Sequence, residues 1–143
     1  MAERRRLSVA AAPEGLPRVL PSKLVPSAVS ASQIQRQALV RAMLDATAAR
    51  LIFVRAPAGF GKTTLMQQYR AAAVEAGRGV LWLNLDSADN DIQRFVAHLD
   101  AGFAMMEAER AGESPRSDAV AASELIDRIA SHPHPFMMIF DEF

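Results

Sequence analysis

The chain has no cysteine among its 143 residues. That excludes a disulfide framework and any thiolate metal site, and it fits a reducing, cytoplasmic setting. No apolar run approaches the roughly 18 residues needed to cross a bilayer. There is no excess of either charge: 16 Lys and Arg balance 16 Asp and Glu, so no overall field draws in nucleic acid or anionic lipid. No internal repeat is visible. What remains is ordinary for a soluble globular protein, with 50% hydrophobic and 22% charged residues. The length suits one domain with a real core.

The first 30 residues carry Pro13, Pro17, Pro21 and Pro26 without periodicity. Proline at that density blocks helix and central strand alike, so residues 1–30 read as a flexible lead-in with little structure of its own. Arg4, Arg5 and Arg6 precede small apolar residues, but that stretch is too short for an export signal and Pro13 interrupts it. The domain proper runs over residues 31–143.

Ser32 and Gln35 have capping-box spacing, and Leu39, Val40, Met43 and Leu44 recur at helical spacing, which predicts a helix over about 32–47. Leu51, Ile52, Phe53 and Val54 form a short apolar run that reads as a buried strand. A helix follows from Lys62 to about Ala76, with Leu65, Tyr69, Ala72 and Ala73 on one face and Gly77 as its stop. Residues 80–85 read as a second buried strand containing Trp82. Asn90 or Asp91 caps a helix whose stripe is Ile92, Phe95, Val96, Leu99, Phe103 and Met106, broken at Gly112, Ser114 and Pro115. A further helix over about 118–130 uses Leu125, Ile126 and Ile129. Residues 136–140 read as a third buried strand ending on Asp141 and Glu142. Alternating buried strands and amphipathic helices predict an α/β fold with a mainly parallel sheet.

Between the first strand and its helix lie Ala56, Pro57, Ala58, Gly59, Phe60, Gly61, Lys62, Thr63 and Thr64. The spacing is that of a P-loop, with Ala56 in place of the first glycine. Gly59 and Gly61 permit a turn in which successive N–H groups point inward as an anion cradle. The helix start adds unpaired N–H groups and the positive end of its dipole. Lys62 brings a point charge to the β- and γ-phosphates, and the Thr63 hydroxyl is placed to ligate Mg²⁺. The implied ligand is a nucleoside triphosphate. A plain glycine turn would not need strand, small-residue loop, Gly, Lys, Thr and helix in succession.

The strand ending on Asp141 matches the second nucleotide motif, Walker B, whose aspartate holds Mg²⁺ through water. Glu142 is a candidate to orient or deprotonate an attacking water, or is simply solvated. His132 and His134 flank Pro133 as plain loop residues rather than a metal pair. His98 reads as a partner-bonded helix residue and Trp82 as core.

Lys23, Leu24, Val25 and Pro26, then Arg36 before Leu39, then residues 51–64, lead into residues 80–86 with Trp82 and Asp86, followed by Asp89, Asn90, Asp91 and Phe95. Over roughly residues 23–143 this string resembles the N-terminal nucleotide-binding part of the large LuxR-type regulators, the MalT-like branch of the STAND ATPases. The resemblance implies a P-loop NTPase domain of three α/β/α layers and ATP as the nucleotide. It implies a switch in which ATP and an inducer permit self-association, and places Arg36 near the adenine side of the site and Asp86 and Asp89 to Asp91 at its mouth, Asp91 being equally explained as a helix cap. In that class a further strand, beyond Walker B, lies between the P-loop strand and the Walker B strand. The chain stops before it, so the fold is expected to be incomplete, with a gap, a direct pairing or a borrowed strand. Weak ATP hydrolysis at most is expected, and no direct DNA binding, because no helix-turn-helix is present. The competing readings are a small autonomous P-loop ATPase or kinase, and a nonfunctional gene remnant.

Overall fold

The computed structural model describes residues 17–28, 32–115 and 120–142. The core element is a parallel pair of strands, β1 (Gly79–Asn84) and β2 (Phe136–Asp141), in register from Gly79 opposite Phe136 to Asn84 opposite Asp141. A parallel pair needs a crossover rather than a hairpin. Four helices accompany it: α1 (Gln37–Asp45), α2 (Lys62–Glu75), α3 (Ile92–Ala111) and α4 (Ala122–Ser131). The crossover from β1 to β2 contains α3 and α4.

Because side chains alternate along a strand, the pair serves two cores at once. Val80 and Trp82 of β1 and Ile139 of β2 join Leu65, Tyr69 and Ala73 of α2 and Val40 and Met43 of α1. Leu81 and Leu83 turn the other way, to Phe103 and Met106 of α3 and Leu125 of α4. The strand pair therefore lies between two helical layers. Gly102 lets α3 approach β1 closely, since a Cβ there would stand 3.1 Å from the Leu81 side chain.

Residues 51–54 depart from the expected buried strand. They belong to no ladder, and among the described residues the sheet contains β1 and β2 alone. Ile52 and Val54 pack against the α1/α2 core, while Leu51 is 82% and Phe53 76% exposed. The physical reason is that a strand persists through its ladder bonds, and β2 takes β1 as its partner, leaving no described segment beside 51–54.

Helix α1 begins at Gln37, not near Ser32, and its N-cap is Arg36, which makes no side-chain capping bond. Helix α4 begins at Ala122 rather than near 118. Helices α2 and α3 lie where the periodicity put them, with Gly77 and Gly112 in the left-handed region just past their ends. Asp91 caps α3, accepting from the Gln93 and Arg94 N–H groups at 2.9 and 3.0 Å.

Within the lead-in, residues 1–16 and 29–30 lie outside the described residues. Residues 17–28 cross the molecule as a strap. They contain a short 3-10 turn, Pro21–Lys23, and bury Lys23 and Leu24. The Leu20 N–H donates to His98 Nε2 on α3 at 3.1 Å. Asn84 at the end of β1 donates to the Val25 carbonyl at 3.3 Å, and Gln67 of α2 donates to the Ser27 carbonyl at 2.9 Å. No described helix is long and apolar enough to cross a membrane.

Candidate functional site

The loop that leads into α2 is shaped by two glycines. Gly59 has φ +79° and Gly61, the N-cap of α2, has φ +76°. Both lie in the left-handed region that other residues adopt only with strain. Ala56 is compatible with its position, because the one non-glycine residue with positive φ among those described is Glu142. A turn closes the loop, with the Phe60 N–H donating to the Pro57 carbonyl at 3.3 Å. The Leu65 N–H is bonded to the Gly61 carbonyl at 2.9 Å. The N–H groups ahead of it, at the first turn of α2, have no acceptor within the helix.

Lys62 folds back over this loop. Its Nζ donates to the Ala56 carbonyl at 2.8 Å and the Pro57 carbonyl at 3.1 Å. Arg36 arrives from the start of α1, and its Nη2 donates to the Phe60 carbonyl at 3.0 Å. Two cations thus hold the loop by its carbonyls. Thr63 and Thr64 are half-buried in the first turn of α2.

Beside the loop is a cleft of about 430 Å³. Leu39, Met43, Ile52, Val54 and Leu65 form its apolar wall, and Arg36, Gly61 and Lys62 its polar end. Arg36 therefore borders both the cleft and the loop, and its guanidinium is bonded to the loop.

Asp141 ends β2 and is 7% exposed. Its main-chain carbonyl accepts from the Leu85 N–H at 2.9 Å, while its buried Oδ2 has no hydrogen-bond partner. Glu142 is exposed, with φ +64°. It lines a second cleft of about 390 Å³ with Asp86, Asp89 and Phe95. Among the described residues no hydrogen bond or ion pair joins Asp141 or Glu142 to residues 56–64. The loop, Arg36 and the apolar cleft are brought together; Glu142 faces a different hollow.

The sequence reading missed a polar cluster that anchors the strap. Lys23 Nζ pairs with Asp86 Oδ2 at 2.8 Å and also with Asp89 Oδ2. Asp86 and Asp89 also form a reciprocal capping box around residues 87–90. Burial works against the Lys23 ammonium, yet the two carboxylates outweigh it and hold its pKa above 10.5. Burial likewise opposes the Asp89 carboxylate, but Lys23 and the Asp86 N–H keep its pKa below 3.8. The forewarning was that Lys23, Asp86 and Asp89 fell within the string carrying the family resemblance, which set the two aspartates at the mouth of the site rather than against Lys23.

His98 is fully buried and has partners on both ring nitrogens. Nδ1 lies 3.0 Å from the Arg94 carbonyl, and Nε2 accepts from Leu20. His132 stacks edge-on against Phe103 and Phe136. Among the described residues no group of three or more His, Asp or Glu side chains stands ready to hold a metal ion. Trp82 is buried, its indole N–H donating to Asn84 Oδ1 at 2.8 Å.

The chain is similar to the HTH-type transcriptional regulator MalT of Cronobacter sakazakii (strain ATCC BAA-894), with 28% identity over 136 residues, 87% of this chain. It is also similar to the serine/threonine-protein kinase PknK of Mycobacterium tuberculosis (strain CDC 1551 / Oshkosh), with 37% identity over 78 residues, 54% of this chain. The chain spans 14% of the length of the first and 7% of the second. No family model matches the chain. No solved structure matches it. The homology is thus partial and ties the chain to short segments of two large proteins.

Proposed function

We propose that the chain is an ATP-binding, STAND-type switch module of a MalT-like transcriptional regulator in the cytoplasm. The observation that carries this reading is the pair of left-handed glycines, Gly59 and Gly61, opening α2 at Lys62. In this reading the N–H groups of the first turn of α2, which have no acceptor within the helix, receive an anion next to a lysine and the positive helix end. The similarity to a MalT protein supports the reading from a second direction.

In this reading residues 56–64 cradle the phosphates, and the adjoining cleft takes the adenine against Ile52, Val54 and Leu65. Arg36 borders the ring side. Mg²⁺ would be held by the Thr63 hydroxyl and, through water, by Asp141, whose buried and unpartnered Oδ2 fits such a role. The ion would neutralise charge on the β- and γ-phosphates. Glu142 is the group available to orient a water, but it is exposed and faces the second hollow. Binding is therefore the primary activity and hydrolysis is weak. DNA contact belongs to another part of such a regulator, and nucleotide-dependent self-association is the output expected of this one.

The test is calorimetry of ATP and ADP, each with and without Mg²⁺. Lys62→Ala is expected to lose about 1.5–3 kcal/mol of nucleotide affinity through loss of charge-assisted bonds. Unchanged affinity in a folded Lys62→Ala protein, or no binding by the folded parent chain, overturns the proposal.

A further inference from the structure

Helix α1 starts without a cap of its own. Arg36, its N-cap, has φ −108° and ψ 50°, and its side chain makes no capping bond. The missing acceptor comes from Gln68, on the neighbouring helix and 32 residues away in sequence. Gln68 Oε1 accepts from the Arg36 N–H at 2.8 Å, and Gln68 Nε2 donates to the Ile34 carbonyl at 2.9 Å. One carboxamide thus brackets the main chain at residues 34 and 36, as a neighbouring peptide group would.

The bracket sets where the Arg36 side chain begins. From that fixed root the guanidinium reaches the Phe60 carbonyl at 3.0 Å and lies 3.6 Å from where a Cβ on Gly61 would stand. Gln68 itself sits four residues beyond Thr64 on α2, so it shares a helix face with the first turn that follows the loop. The loop is consequently tied to α2 twice. One tie is the covalent start of the helix at Lys62; the other runs from Gln68 through residues 34–36 and the Arg36 guanidinium to Phe60.

We propose that Gln68 is a positioning residue of the phosphate loop, acting through Arg36 to fix the Phe60 carbonyl and the approach to Gly61. Its functional meaning rests on the nucleotide reading, but its effect on the loop does not. A carbonyl held by the Arg36 guanidinium cannot turn into the loop. Release of the bracket frees residues 34–36, lets the guanidinium leave Phe60 and loosens the loop.

The experiment uses the full chain as Gln68→Met, Arg36→Met, both together, and Gln68→Glu, which keeps the acceptor but loses the donor. Hydrogen exchange is measured without nucleotide over residues 57–64 and, as a control, over 103–108 in α3; MgATP affinity is measured in parallel. Gln68→Met is expected to speed loop exchange and to weaken MgATP binding about tenfold each, with α3 unchanged. Gln68→Glu should fall between. On the Arg36→Met background, Gln68→Met should change either readout less than about twofold, because the two residues act as one chain. Loop exchange unchanged in Gln68→Met, equal acceleration in α3, or effects that multiply in the double variant would each overturn the proposal. If loop exchange responds as described while the parent chain binds no ATP, the nucleotide reading falls and the positioning role stands.

Discussion

On the face of the sheet covered by α3 and α4, Phe103 and Leu83 are wholly buried, and Leu81 and Leu125 nearly so. Leu24 of the strap closes this core from the side. On the opposite face Ala73 and Trp82 are buried as completely and Tyr69 somewhat less, yet the segment that feeds the loop at residues 56–64 lies outside the ladder. Two of its four residues pack and two face solvent. The first face is held by side-chain packing and main-chain bonds together, the second at its loop end by packing and a few side-chain bonds. Segments with few main-chain bonds open at low free-energy cost, and binding loops are drawn from that end of the scale. The loop at residues 56–64 thus follows a segment without ladder bonds, and Lys62 and Arg36 offset this by gripping its carbonyls.

The widest separation between the two faces should come from truncating one apolar side chain on each. Phe103→Ala removes a ring that touches Phe136 and His132 and lies beneath Arg128. It is expected to cost about 3–5 kcal/mol in urea unfolding. Ile52→Ala removes a half-buried side chain from an unpaired segment and should cost about 1 kcal/mol. Equal losses would mean that residues 51–54 are as firmly held as the α3 face, and the contrast would disappear.

How much of this was legible in the sequence follows the same division. The loop was readable because its determinants are adjacent: Gly59, Gly61, Lys62 and the helix start occupy one turn of chain. Helices α2 and α3 were readable because Gly77, Gly112 and the Asp91 cap act within a few residues of the ends they set. The strand at 51–54 was misread because an apolar run encodes a wish for burial, whereas a ladder requires a neighbour. The start of α1 was misread because its N-terminal acceptor, Gln68, comes from another helix. The strap was missed for a similar reason: Lys23 and Asp89 are 66 residues apart, and Leu20 and His98 are 78 apart. Asp141 was placed by its strand, but its unpartnered oxygen emerges only from packing.

Lowering the pH should loosen the strap on the α3 face first. A main-chain N–H only donates, so His98 Nε2 accepts from Leu20 and the proton resides on Nδ1. Burial lowers the His98 pKa below 6.5; the Lys23 and Arg94 charges add to this, and Asp89 and the Arg94 carbonyl oppose it without prevailing. The unfolded chain therefore takes up this proton before the folded one. Stability from neutral His98 is fully present above about pH 6.5 and declines as the pH falls below it. Below the usual carboxylate range the lowered pKa values of Asp86 and Asp89 add a second loss. Urea midpoints are expected to drop between about pH 7.5 and pH 5.5 in the parent chain and to stay level in His98→Gln. A midpoint that rises on acidification, or an equal drop in His98→Gln, would remove His98 as the cause.

The smallest effect on stability should come from the exposed side of the unpaired segment. Leu51 and Phe53 bury little on folding, so Leu51→Thr with Phe53→Thr should alter unfolding free energy by less than about 0.5 kcal/mol. Threonine keeps the extended preference of the segment, so the backbone has no reason to change. Association should behave differently. A run outside the ladder with two large exposed apolar side chains is a template for another strand. Sedimentation at rising concentration is expected to show the parent chain self-associating and the double variant remaining monomeric. Equal association would place the sticky surface elsewhere, and a loss of several kcal/mol would mean that Leu51 and Phe53 pack against something after all. With stability and association thus separated, the two faces differ by design of their bonds rather than by their share of apolar residues.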